Sequence, residues 1–307
     1  MTRGQWLALA LGVAAVSWAA PLIRLAEAPV LVVAALRLAM AAPPVAGAAL
    51  LWRRDELRSL TRDEWLVLGF AGVSLALHFI AWVAAVQRTS VVAGVVLVTT
   101  QPLFVAMAAW PLLGERPTRA LLTAIGVAGL GAVILASSDL GDRGSLAGDA
   151  LALTGAILAA AYFIAGRRLR VRRSNLAYSG VVYGIAAVIL VTAMLASGVE
   201  VRGHPREAYI YIALLALVPQ LIGHTAFNWA LGSLTAAIVA VAVLGEPVGA
   251  TLIAATVLDE PPTAFEWVGA AVVLLGVYLA LRAPQGAVVA SSIEVATTEG
   301  EEPWPVR

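Results

Sequence analysis

Along this chain, long apolar runs alternate with short polar joints. Ten runs stand out, with edges that shift by several residues: Gly4–Ile23, Pro29–Leu51, Trp65–Val86, Val91–Leu113, Arg119–Ser137, Asp149–Gly166, Leu176–Ser197, Ala208–Leu231, Thr235–Leu258 and Ala264–Leu281. Each is close to the roughly 20 residues a helix needs to cross about 30 Å of hydrocarbon. Lipid offers no water to an unpaired backbone group, so a spanning segment must be a helix or part of a closed barrel. Barrel strands alternate polar and apolar positions over about ten residues, whereas these runs are continuous and twice as long. The pattern predicts an all-α, polytopic membrane protein with ten transmembrane helices.

Composition agrees and narrows the chemistry. Of 307 residues, 61% are hydrophobic and 13% are charged, against about 25% charged in ordinary soluble domains. The net charge of +1 gives nucleic acid no basic footprint. All 20 basic residues are arginine. Without lysine there is no Gly-x-x-x-x-Gly-Lys phosphate loop and no Schiff-base chemistry, so an ATP-driven pump in this chain is excluded. The absence of cysteine removes thiolate and disulfide chemistry. Three histidines, His78, His204 and His224, form no His-Glu-x-x-His run, and no Gly-x-Ser-x-Gly elbow occurs. No catalytic residue, cofactor or metal is expected. The expected partners are the lipid bilayer and a small-molecule substrate.

Arginine placement sets the orientation. Arg3, the run Trp6–Ala20 and Ala26-Glu27-Ala28 have the outline of a signal peptide. The run is long for one, however, Pro29 follows at once, and nine more spans come after it, which favours a retained first helix. With the N-terminus inside, fourteen arginines fall on inside segments and five on outside loops, while Arg37 lies within a span. The Arg167–Arg173 cluster dominates that bias. Both termini are expected in the cytoplasm, in a multi-pass protein of the cell inner (plasma) membrane. The polar tail 283–307, with Glu294, Glu299, Glu301 and Glu302, is expected to be disordered.

An internal repeat organises the spans. Gln101-Pro102 precedes Glu115 as Glu246-Pro247 precedes Glu260, with 13 residues from each proline to each glutamate. Leu113-Gly114-Glu115-Arg116-Pro117-Thr118 parallels Leu258-Asp259-Glu260-Pro261-Pro262-Thr263, and Gly131 parallels Gly276. All share one offset of 145 residues, which contains five spans. An odd number of crossings makes the second half enter from the opposite face, so the halves, 4–137 and 148–282, are inverted repeats. Secondary transporters use this arrangement, with the site near the midplane between the halves.

These residues resemble the EamA domain of the drug/metabolite transporter superfamily. The carriers are Gly12 to Trp18, Arg37, Gln101-Pro102 with Leu113-Gly114-Glu115-Arg116, Gly148-Asp149, Arg167-Arg168, and Glu246-Pro247 with Glu260, Gly269 and Gly276. The resemblance covers residues 5–282. The second half departs from it at Asp259, where the family usually has glycine, and in having no arginine that answers Arg37. It implies a ten-helix exporter of amino acids or related amphipathic metabolites and drugs.

Polar groups inside spans are costly and turn toward the bundle interior or a wet cavity. Gln220, His224 and Asn228 fall at i, i+4, i+8, and so do Ser74, His78 and Trp82, so each set forms one helical stripe. They point to a cavity lined from both halves; interhelical hydrogen bonding is the competing role. Glu246 is the one acidic residue placed well inside a span, beside Pro247, and its counterpart Gln101 is uncharged. It suits a proton or ammonium site and equally a structural hinge, with Pro102 and Pro247 loosening their helices. Trp82 and Tyr162 are candidate cavity aromatics, whereas Trp6, Trp52, Trp65 and Trp267 fit interface belts. Substrate contact is assigned to His78, Trp82, Gln101, Tyr162, Gln220, His224, Asn228 and Glu246. Arg37 is expected to snorkel toward a headgroup or pair with Glu27, and Glu115 and Glu260 to cap helices or brace a gate. Gly180…Gly184 and Gly245…Gly249 have small-residue spacing, which leaves monomer and homodimer both open. Proton coupling is a candidate energy source.

Overall fold

The computed structural model describes residues 1–88, 91–137, 146–257 and 263–284. Glu260, Asp259 and the tail from 285 onward lie outside these residues. Every regular element among the described residues is helical. Eight segments are long and apolar enough to cross a bilayer: α1 (Arg3–Ala26), α2 (Val30–Trp52), α3 (Arg62–Val86), α4 (Gly94–Leu113), and then α6 (Leu146–Arg170), α7 (Asn175–Ala196), α8 (Arg206–Ala230) and α9 (Ala236–Val257). Between and after them stand α5 (Arg119–Ser137) and α10 (Ala264–Arg282), 19 residues each. At 1.5 Å per residue those two are about 28 Å long, near the thickness of the hydrocarbon core.

Local chemistry sets several boundaries. Thr2 and Gln5 form a capping box at the start of α1, and Thr61 and Glu64 form one at the start of α3. Ser174 and Thr235 cap α7 and α9 with their side-chain oxygens. Gly114 ends α4 in the left-handed conformation, at φ 70°.

The helix pairs are preserved when the halves are exchanged. α5 packs along α10, and α2 along α7; α3 packs on α6 as α1 packs on α8. α3 meets α7 as α8 meets α2, and α4 meets α6 as α9 meets α1. α5 and α10 approach backbone to backbone. A Cβ on Gly131 would strike the backbone of Val273, and a Cβ on Gly276 would strike the backbone of Ala128. Only glycine lets two helices touch backbone to backbone at these equivalent positions.

The interior helices are interrupted at mid-length. α4 breaks at Thr99–Thr100, immediately before Gln101-Pro102, and α9 breaks at Leu244–Gly245, immediately before Glu246-Pro247. The two breaks sit at the repeat offset. Each proline stands in the first turn of the next helical piece, where its missing N–H costs nothing. Two further breaks are not repeated. α1 is interrupted at Ser17–Trp18, and α8 widens to a π-helix over Ala216–His224. Pro219 lies inside that π segment and removes a donor from the ladder. Their counterparts α6 and α3 are continuous, so the interrupted pair α1–α8 faces an uninterrupted pair α3–α6.

Candidate functional site

A cavity lies between the halves, lined by α1, α2, α3, α4, α6, α8 and α9. Its polar wall consists of Arg37, His78, Thr99, Gln101, Tyr162, His224 and Glu246; Phe79, Trp82, Phe163 and Phe227 supply aromatic surface. Its volume is about 40 Å³, room for a few water molecules and too little for an organic solute. This conformation is contracted around the site.

Six of the eight residues expected to meet substrate are in that wall: His78, Trp82, Gln101, Tyr162, His224 and Glu246. The two histidines flank one ring, with Phe79 5.2 Å from His78 and 5.4 Å from His224 between centroids. His78 is held by a 2.9 Å hydrogen bond between Nδ1 and the Gly155 carbonyl. Gln220 and Asn228 are fully buried but stand behind the wall. Both are taken up by neighbouring side chains: Gln220 Oε1 accepts from Arg37 Nε at 3.1 Å. Asn228 is instead the centre of a polar knot: Tyr162 Oη donates to its Oδ1 at 2.7 Å, and its Nδ2 donates to Ser179 Oγ at 3.1 Å and Tyr183 Oη at 3.3 Å.

Arg37 corrects the sequence reading. It neither snorkels nor pairs with Glu27. It is 1% exposed, its Nε donates to Gln220 Oε1 at 3.1 Å, and its guanidinium carbon lies 4.0 Å from the Phe79 centroid. The cation–π contact offsets part of the desolvation cost, by about 0.5–2 kcal/mol. The lone arginine in the middle of the α2 sequence was the only available signal, and it could not say which way the side chain turned. Phe79, Phe163 and Phe227 were also missed, because an apolar ring in an apolar span carries no periodic mark.

The paired-glycine motifs are used within the chain. A Cβ on Gly180 would meet Ala49 and Val45 of α2, one on Gly245 would meet Val13, and one on Gly249 would strike the Ser17 side chain. Gly184 alone of the four has open space beside it.

The face carrying loops 53–61, 114–118, 171–174 and 231–235 is laced by charge. Glu115 Oε1 accepts from Arg167 Nε at 2.6 Å, and Oε2 accepts from the Ala236 backbone N–H at 3.1 Å. Glu115 therefore caps α9 and braces α4 against α6 at once. Arg167 Nη1 also donates to the Leu231 carbonyl at 2.9 Å. Beside it, Arg173 grips Glu64 with two bonds, 2.7 Å from Nε and 2.5 Å from Nη2. That carboxylate pushes the Arg173 guanidinium further above its ordinary range. Glu56 accepts from the Ser174 backbone N–H and hydroxyl, both at 2.6 Å. On the opposite face, Gln87 Nε2 donates to the Ala28 carbonyl at 2.9 Å.

Known proteins match this architecture. The EamA-like transporter family matches the chain twice, over residues 2–137 and 146–282. A protein of Archaeoglobus fulgidus named an uncharacterized transporter is 25% identical over 248 residues, covering 78% of this chain and 83% of its own. A Bacillus subtilis protein named uncharacterized transporter YwfM is 25% identical over 247 residues, covering 78% and 82%. A solved structure described as the crystal structure of a protein superposes with a TM-score of 0.74 at 18% identity, over 91% of this chain and 97% of its own. That likeness is one of fold.

Proposed function

The chain belongs to the EamA-like transporter family, and from that membership we propose that it is a secondary transporter exporting small organic metabolites. The cargo is amino acids or related amphipathic compounds and drugs, carried across the cell inner membrane by alternating access with both termini in the cytoplasm. One observation carries the reading. A cavity with a polar wall sits where the two repeats meet, and the two helices broken at the repeat offset, α4 and α9, deliver Gln101 and Glu246 to it.

The halves rock around this cavity. In the contracted conformation the arginine-rich face is held shut by Glu115–Arg167 and Glu64–Arg173. The arginine bias of that face supports its cytoplasmic placement. Opening it separates α4 from α6 and α9, and the breaks before Pro102 and Pro247 are the places where α4 and α9 bend. Energy comes from the solute gradient or from proton antiport through Glu246 or a histidine.

Directional flux in sealed vesicles of the purified protein, across amino acids and cationic drugs, tests the reading. Outward-biased flux of an unmodified solute is expected. Inward-biased flux turns the exporter into an uptake carrier or facilitator, and a chemically altered solute makes it an enzyme.

A further inference from the structure

We propose that Arg37 is a carboxylate-binding subsite, so that the solutes carried are organic acids, zwitterions included, with an apolar or aromatic body. The assignment rests on the transport reading above and narrows it: amines without a carboxylate fall outside. A guanidinium presents five N–H donors and no acceptor. Here Nε is committed to Gln220 Oε1. Nη1 and Nη2 are buried, and neither has a hydrogen-bond partner among the described residues. The Phe79 ring beneath the guanidinium attracts its charge but gives its N–H groups no acceptor. Unsatisfied buried donors on a charged group are expensive, and a fold keeps such a group when a ligand completes it.

The surroundings select the ligand. Arg37 lines the cavity, and Gln220, from behind the wall, fixes the fork by its Nε and leaves the outer pair for the solute. A planar carboxylate meets such a fork through two parallel bonds. Glu246 lines the same cavity as the one carboxylate among the described residues of its wall and does not hydrogen-bond Arg37. A doubly charged anion would meet it unfavourably, whereas the ammonium of a zwitterion would meet it well. His224 also lines the cavity and offers a buried, unpartnered Nδ1. Phe79, Trp82, Phe163 and Phe227 form the apolar remainder.

Four ligands with one aromatic body separate the possibilities: 3-phenylpropionate, phenylalanine, phenethylamine and 3-phenylpropanamide. Thermal unfolding of the purified, full-length protein in nanodiscs reads binding without requiring flux. The acid and the zwitterion are expected to raise the unfolding midpoint, and the amine and amide to leave it unmoved. Arg37→Lys keeps the charge but loses the fork, and is expected to weaken acid binding about tenfold. Glu246→Gln removes the competing carboxylate and is expected to tighten it. Equal binding of amine and acid by the unaltered protein, no binding of the acid, or an unchanged acid preference in Arg37→Lys overturns the assignment. Vesicles that move the amine but not the acid overturn it while leaving the carrier reading intact.

Discussion

Arg167 and Glu115, 52 residues apart, join at 2.6 Å across the meeting of the repeats, and the same carboxylate caps the first turn of α9. One side chain thus fixes three helices at the arginine-rich face. With Arg167 Nη1 on the Leu231 carbonyl, it also reaches the end of α8. If this is the latch that must release for that face to open, weakening it shifts the equilibrium toward the open form.

Glu115→Gln is expected to do so. A neutral amide can still accept from Arg167 but loses the charge pairing, a part of the roughly 1.5–3 kcal/mol that a hydrogen bond to a charged group contributes. The chain has no cysteine, so a single Ala237→Cys reporter, buried next to the latch, is labelled without background. Its alkylation rate is expected to rise about tenfold in the Glu115→Gln background, equivalent to roughly 1.4 kcal/mol. An unchanged rate would show that the latch does not govern access.

The α5–α10 contact makes a symmetric prediction. Gly131→Ala and Gly276→Ala each place a methyl group against backbone of the facing helix, and each is expected to destabilise the protein by about 1–3 kcal/mol. Gly129→Ala, with nothing nearby, is expected to be neutral or to stabilise by up to about 1 kcal/mol through helix propensity. Unfolding midpoints of the three variants check this. Similar values for all three would remove the close approach as the cause.

Glu246 and His78 separate coupling from recognition. If Glu246 carries the proton, Glu246→Gln flattens the pH dependence of flux; a profile identical to the unaltered protein would take that role from it. His78→Ala opens the wall beside Phe79 and is expected to change relative rates among solutes with expression intact. Equal relative rates would place His78 outside the path.

The inversion itself is checked by topology tags. Ser145, just before α6, and Arg170, at its end, are expected on opposite sides of the membrane. Tags reporting both on one side would break the five-crossing count and the transport reading with it.

Much of the fold was legible because a helix in lipid satisfies its backbone within its own segment. Length and hydrophobicity of each run therefore suffice, and Pro102 and Pro247, at the 145-residue offset, marked the two helices to be loosened; the structure puts the breaks just before them, at Thr99–Thr100 and Leu244–Gly245. The α1 break at Ser17–Trp18 carries no such mark.

The candidate site was legible in part. Residues such as His78, Gln101 and Glu246 are conspicuous in apolar spans, and they do line the cavity. Which of the polar residues would be engaged by neighbours was not readable: Gln220 and Asn228 stand behind the wall, bonded to Arg37 and to Tyr162, Ser179 and Tyr183. Arg37 shows the same limit. Its charge is written in the sequence, but whether it reaches a headgroup, Glu27 or the interior depends on which helices pack against α2. The packing of α8 and α3 on α2 settles that by bringing Gln220 and Phe79 to the guanidinium. Local hydrogen bonding fixed the elements; long-range packing chose the partners of each polar group.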